Sequence, residues 1–414
     1  MTYLGPRCCI LASVVVLAAA CVGSGASVNP PAAMGSTTGS SSEETEAITS
    51  TDDTGAPGSS GVGETSTSGA QGCADNPTLS ARLAELVEPH VDPQGTPGSA
   101  IGLVVGVANL EQRWTIGFGS RALGGTEVPQ GDDLFEIGSL TKVYTGYLLA
   151  QAVERGDADL DDTLEATFGA ATPTYRGQAI TLLDLATHTS ALPNYPDNLP
   201  NPGPINPGAG YTLDMLETFL AGHVLTAAPG EAYEYSNLGS GIAGHILVTA
   251  AQLPDYESLV QRGITDPLRL PDTVVVLNAD QDARRVSGHA GGRVAPQLDI
   301  GAPLQGGGVL RSTAEDVLSF FAGALDGDDP TWATVMVPRR PSPNGPNAFT
   351  GLFLNVEDPD GAPVYSKSGG TPGFSSQVVV TLDPPAVVVL LSNANSTQGL
   401  YGLGKAIADA IEGC

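Results

Sequence analysis

A chain of 414 residues, 41% of them hydrophobic, is long enough to bury a sizeable core. Its 17 Lys and Arg stand against 45 Asp and Glu, a formal charge of −28. That balance excludes a nucleic-acid partner, because phosphate binding needs a basic stripe, and excludes docking on anionic lipid through a basic face.

Residues 1–22 read as a targeting signal and stand outside the fold. Arg7 precedes an apolar run from Cys8 to Val22, shorter than the roughly 18 residues that a membrane-spanning helix needs. The run passes through Leu17-Ala18-Ala19-Ala20-Cys21. This is similar to a bacterial lipoprotein signal, with Cys21 as the lipidated first residue, although Ala18 stands where such signals usually carry Leu. The alternative is ordinary secretion with cleavage near Ala20. Both readings give an exported bacterial protein, lipid-anchored in the cell envelope or else secreted or periplasmic.

Residues 23–73 are Ser-, Thr- and Gly-rich with six acids and no Lys or Arg. Such a stretch cannot bury enough apolar surface to offset its ordering entropy, so a disordered linker is expected. The remaining acids belong to a folded domain over 74–414, as a solvated surface. Cys8 and Cys9 leave with the signal, so Cys73 and Cys414 bracket that domain. In an oxidising compartment they are candidates for a disulfide joining its ends.

Within the domain, an amphipathic stretch at Leu79–Val91 predicts a helix ended by Asp92-Pro93. Ala100–Ala108 and Arg113–Gly119 predict a β-hairpin. A long helix is expected from near Ser139 to Gly156, with Leu140, Val143, Tyr147 and Ala150 at helical spacing. Residues 157–300 mix helical pieces with irregular chain, and the Pro- and Asn-rich Asn194–Gly210 reads as an exposed loop. A helix over Thr313–Leu325 follows. Strands are then expected at Thr350–Val356, Gln377–Leu382 and Ala386–Ser392, with a closing helix near Gln398–Ile411. Strands at both ends and helices between them predict one sheet built from the two ends of the chain.

The lysines point to the chemistry. The chain has only three, against fourteen arginines. Lys142 lies in Ser139-Leu140-Thr141-Lys142 and Lys367 in Lys367-Ser368-Gly369-Gly370, while Lys405 falls on the closing helix. Arginine does not lose its proton in a protein, whereas a buried lysine can become a base. Ser139 and Lys142 are three apart at a helix start and share a face. A serine hydroxyl becomes an effective nucleophile when a neighbour takes its proton, and an unprotonated lysine one turn on can do so. The positive end of the helix favours the negative charge that develops.

Tyr235-Ser236-Asn237 follows about a hundred residues later, and Lys367-Ser368-Gly369 about 130 after that. The order Ser-x-x-Lys, Tyr-x-Asn, Lys-Ser-Gly resembles the penicillin-recognising serine hydrolases, in the branch of class C β-lactamases and D-alanyl-D-alanine carboxypeptidases. Supporting stretches are Leu182-Leu183-Asp184-Leu185-Ala186-Thr187-His188-Thr189-Ser190, Asp266-Pro267-Leu268, Gly306 to Ala314, and Gly369-Gly370-Thr371-Pro372-Gly373-Phe374. Together they cover residues 78–412. Ser368 replaces the commoner Thr and keeps the hydroxyl.

The resemblance implies an α/β fold of the α+β type, β-lactamase/transpeptidase-like. An antiparallel sheet flanked by helices would lie beside a mainly helical subdomain, with the site between them. It makes Ser139 the nucleophile and acyl-enzyme residue, with Lys142 and Tyr235 as a proton relay whose tyrosine also protonates the leaving group. Asn237 would bind the substrate amide and order Lys142. Lys367, with Ser368 and Gly369 beside it, would bind a substrate carboxylate, and the backbone N–H groups of Ser139 and Gly370 would form the oxyanion hole. Glycine at 369 and 370 lets that strand edge approach a substrate closely. His188 falls in a stretch that the family uses structurally.

The expected activity is acyl-enzyme hydrolysis of β-lactams or D-alanyl peptides of the cell wall. The alternatives are an esterase of the same family with a broad pocket, and a non-catalytic cell-wall-binding lipoprotein. The second is opposed by the intact Ser139, Lys142, Tyr235 and Lys367. No cofactor is expected, and no metal site, since His90, His223, His245 and His289 have no metal-ligand spacing. The partners expected are a small-molecule or peptide substrate with a carboxylate and, through Cys21 alone, a membrane; the protein is expected to be a monomer.

Overall fold

A computed structural model describes residues 77–201, 206–357, 361–395 and 397–411. The signal, Cys21, the linker, Cys73 and Cys414 lie outside the described residues. Among the described residues no helix is long and apolar enough to cross a membrane.

An eight-stranded antiparallel sheet forms the frame. Its order is Arg113–Gly119, Gly102–Ala108, Pro385–Ser392, Ser375–Leu382, Val364–Gly370, Asn355–Glu357, Ala348–Thr350 and Arg340–Pro341. The predicted hairpin is present, with Gly102 opposite Gly119. Its first strand pairs with the last strand of the chain, Leu103 opposite Ser392 and Val107 opposite Val388, so the sheet is assembled from both chain ends.

Side chains alternate across a strand, and here both faces are covered. Leu103, Val105, Val388 and Leu390 pack under the terminal helices with Leu83, Leu403 and Ile407. Val104, Val387, Val389 and Leu391 turn the other way into the main core, with Tyr144, Phe320 and Phe321. A strand buried on both faces reads as an unbroken apolar run, as Ala386-Val387-Val388-Val389-Leu390-Leu391 does.

The long helix spans Thr141–Arg155 behind a 3-10 turn at Gly138–Leu140. It is buried on nearly all sides from Thr141 to Ala150. A helix buried all round is one that the fold is packed about. At Gly146 a Cβ would overlap the Leu352 carbonyl oxygen, so the helix meets a neighbouring backbone there directly.

Two expectations change in detail. The first helix ends at Val87, and Glu88–His90 forms a 3-10 turn, because Pro89 has no N–H to continue the ladder. The strand expected at Thr350–Val356 is two strands, Ala348–Thr350 and Asn355–Glu357. The two pair with each other, Thr350 opposite Asn355, and Leu352, Phe353 and Leu354 in the turn between them are all buried. The chain turns inward there instead, with Phe353 at φ 60°.

Candidate active site

Ser139 sits at the turn that feeds the buried helix. Gly138 before it has φ +50°, and a Cβ on it would meet the Gly370 backbone at 2.7–3.0 Å. A Cβ on Gly369 would likewise overlap the Ile137 carbonyl oxygen and lie 3.0 Å from the Ser139 nitrogen. The nucleophile turn and the Val364–Gly370 strand are thus pressed backbone to backbone. The neighbouring strand ends at Asn355, opposite Ser366, so Lys367 to Gly370 pair only with Ser375 to Val378 on their other side.

The residues of the three sequence triplets converge on Ser139. Lys142 Nζ donates to Ser139 Oγ at 3.0 Å, and Tyr235 Oη donates to the same oxygen at 2.8 Å. Lys142 also donates to Asn237 Oδ1 at 2.7 Å and to the Gly307 carbonyl. It is fully buried, and burial draws its pKa down from 10.5 to about 7. Lys367, also buried, is lowered to about 8 by burial, with Tyr235 opposing and the Lys142 charge adding to the shift. The Tyr235 ring lies between the two ammonium groups, 5.0 Å from Lys142 Nζ and 5.3 Å from Lys367 Nζ by its centroid.

Asn237 opens the Asn237–Ala250 helix, which Ser236 caps by accepting the Gly239 N–H at 2.8 Å. Its orientation is set by Asn194, whose Oδ1 accepts the Asn237 side-chain amide at 2.8 Å and its backbone N–H at 3.2 Å. With its amide so engaged, Asn237 turns its oxygen to Lys142. The segment from Asn194, read from composition as an exposed loop, therefore supplies part of the site; Tyr195 lines it too. Asn194 and the Gly307 carbonyl were not singled out from sequence. The nearest signal was their position, Asn194 four residues after the Leu182–Ser190 stretch and Gly307 inside the Gly306–Ala314 stretch.

His188 is buried behind Tyr235, its ring centroid 4.5 Å from the tyrosine ring. Its Nδ1 accepts the Ser236 N–H at 3.2 Å and its carbonyl accepts the Glu234 N–H at 2.7 Å. Burial, then the Lys367 and Lys142 charges, hold its pKa well below 6.5, so the ring is a neutral support, and ring and carbonyl together hold the chain on both sides of Tyr235.

Ser139 and Gly370 stand where two cavities meet. One, of about 550 Å³, has Leu199, Leu298, Ile300 and Leu304 among its walls together with the polar Tyr195, Asn206, Asp299, Thr371 and Asn395. The other, of about 680 Å³, is polar and lined by Tyr235, Lys367, Ser368, Gly369, Asn344 and Tyr401. The arrangement is a hydroxyl held by a neutralisable amine and a phenol, with a cavity holding Lys367 on one side and, on the other, a cavity of mixed lining with one apolar wall. That combination suits acyl transfer through a serine ester.

Comparisons with known proteins give the family and the fold. A family model described as Beta-lactamase matches residues 83–411. The chain is 32% identical over 254 residues to the D-alanyl-D-alanine-carboxypeptidase/endopeptidase AmpH of Escherichia coli K12, an alignment covering 59% of this chain and 63% of AmpH. It thus spans less than two thirds of that relative's length. In fold it is similar to a beta-lactamase/D-alanine carboxypeptidase from Yersinia pestis complexed with citrate, with TM-score 0.69 and 24% identity, covering 81% of this chain and 99% of the other. It is also similar to a class C beta-lactamase from Rhodobacter sphaeroides, with TM-score 0.65 and 22% identity over 81% and 100%.

Proposed function

The chain belongs to the beta-lactamase family, and from that premise we propose that it is a serine hydrolase that forms an acyl-enzyme on Ser139 and acts on β-lactams or on D-alanyl peptides of the cell wall. The observation that carries this reading is the pair of contacts at Ser139 Oγ: a buried lysine at 3.0 Å and a tyrosine hydroxyl at 2.8 Å.

Lys142, drawn down to about 7 by burial, is the group able to take the Ser139 proton at neutral pH. Ser139 Oγ then attacks the substrate carbonyl, and the backbone N–H groups of Ser139 and Gly370 receive the oxyanion. The C–N bond breaks as Tyr235 Oη gives its proton to the leaving nitrogen and recovers one from Lys142. Water attacking the ester reverses the relay and frees Ser139. Lys367 holds a carboxylate of the leaving half in the polar cavity, and Asn237 binds the substrate amide. An exported, lipid-anchored protein, as the signal at residues 1–22 suggests, would meet such substrates at the cell wall.

The test uses the purified protein and Ser139→Ala with a chromogenic cephalosporin and a fluorescent penicillin. Turnover that falls at least about a thousandfold in the variant supports a β-lactamase. A stable label that needs Ser139, without turnover, supports the peptidase. The absence of both turnover and label overturns the proposal.

A further inference from the structure

Glu136 and Arg311 are an ion pair in the core that the proposed reaction does not use. They face each other across a two-strand pairing, Phe135–Glu136 against Arg311–Ser312, and are only 3% and 8% exposed. Charged pairs are costly to bury unless their hydrogen-bonding capacity is used. Yet their closest approach is 3.9 Å, and Glu136 Oε2 and Arg311 Nε have no hydrogen-bond partner. Their short bonds go to backbone instead. Glu136 Oε1 accepts the Leu298 N–H at 2.6 Å, and Arg311 Nη2 donates to the Leu298 carbonyl at 2.7 Å. Arg311 Nη1 adds the Val275 carbonyl at 2.6 Å.

Leu298 thus has both its backbone groups held by one buried pair. The chain around it, 295–300, has no regular secondary structure. Its other ties include Asn206 to the Gln297 carbonyl at 2.7 Å, the Ala295 N–H to the Gly288 carbonyl at 2.8 Å and the Gly301 N–H to the Gly208 carbonyl at 2.8 Å. Leu298 and Ile300 form an apolar wall of the cavity of about 550 Å³ beside Ser139. Glu136 lies three residues before Ser139 on the same segment, so the chain that presents the nucleophile also holds that wall.

The direction of the substrate follows from the proposed roles, on which this inference rests. Tyr235 and Lys367 serve the leaving half in the polar cavity, so the acyl half extends into the other, along the Leu298 and Ile300 wall. We propose that the Glu136–Arg311 pair determines acyl specificity. It fixes Leu298 and Ile300 relative to Ser139, so that the cavity favours acyl groups bearing a bulky, uncharged, apolar substituent such as an aryl ring. Both are positioning residues, acting through the wall.

The test compares two esters with one leaving group, p-nitrophenyl acetate and p-nitrophenyl phenylacetate. In Glu136→Ala the ratio of kcat/KM, phenylacetate over acetate, is expected to fall at least tenfold. The fall should be carried by KM, while the pH profile of kcat keeps its shape. Glu136→Gln keeps an acceptor for the Leu298 N–H and should restore most of the ratio. Leu298→Ala should lower the ratio without touching the buried pair, which keeps the test open if Glu136→Ala does not fold. Hydrogen exchange of a peptide spanning 295–300 should quicken at least tenfold in Glu136→Ala, or in Arg311→Lys if that variant is the soluble one. Equal losses on both esters, an unchanged ratio in Leu298→Ala, or unchanged exchange overturns the inference while leaving the proposed function standing. A wild-type protein inert to both esters overturns the specificity role, while the proposed function stands or falls on the cephalosporin and penicillin test, and exchange then decides the clamp alone.

Discussion

Lys142 couples burial to rate. Its amine must be neutral to accept a proton, and its pKa stands at about 7 because the ammonium form is starved of water. The kcat/KM profile should therefore fall about tenfold per pH unit below pH 7, read with any reactive ester. Lys367 gives the opposite limb. Near its value of about 8 it loses its charge, so KM for a substrate with a carboxylate should rise above pH 8, while that of a neutral ester should not. A flat KM for both would remove Lys367 from carboxylate binding. Asn194→Ala should free the Asn237 amide and lower kcat/KM about tenfold, the worth of one hydrogen bond of about 1.4 kcal/mol. The residues that meet at Ser139 were legible because each lies in a short pattern with a chemical reason. Asn194 was not, for it acts on Asn237 from 43 residues away, and Gly307 acts through a carbonyl that any residue would carry.

At the scale of elements, the Thr141–Arg155 helix was legible from its spacing, but its all-round burial from Thr141 to Ala150 was not. Periodicity reports the side facing the core, and here Thr141, Lys142 and Thr145 are buried as well. Their polar atoms are satisfied from other elements, as when Thr145 Oγ1 donates to the Gly306 carbonyl at 2.8 Å. Gly146→Ala should cost about 1–3 kcal/mol by overpacking, measured by urea titration, even though alanine is the better helix former. A gain in stability would mean that Leu352 can retreat. The break in the Thr350–Val356 strand was hidden for a related reason: apolar residues in succession fit a buried strand and a buried turn equally well.

For the whole molecule, the assembly of the sheet from both ends could be read from where the apolar runs fall, whereas its order across the middle depends on pairings that sequence spacing does not specify. The surplus of acids over bases, −28 for the chain, repels itself in the compact state. Raising sodium chloride from low to physiological strength, which shortens the screening length to about 8 Å, should therefore raise Tm; a fall would point to ion pairs outweighing the repulsion. The pairing of Leu103 with Ser392 has a further consequence during synthesis. A nascent chain halted before Pro385 holds the first hairpin and nearly all the helices, yet lacks the strand that joins that hairpin to the sheet. Until that strand emerges, Leu103, Val105 and Val107 have no inner neighbour. Ribosome-stalled chains of increasing length should thus stay protease-sensitive until Pro385–Ser392 has left the exit tunnel, and a polypeptide that cannot close before then remains threadable up to that point.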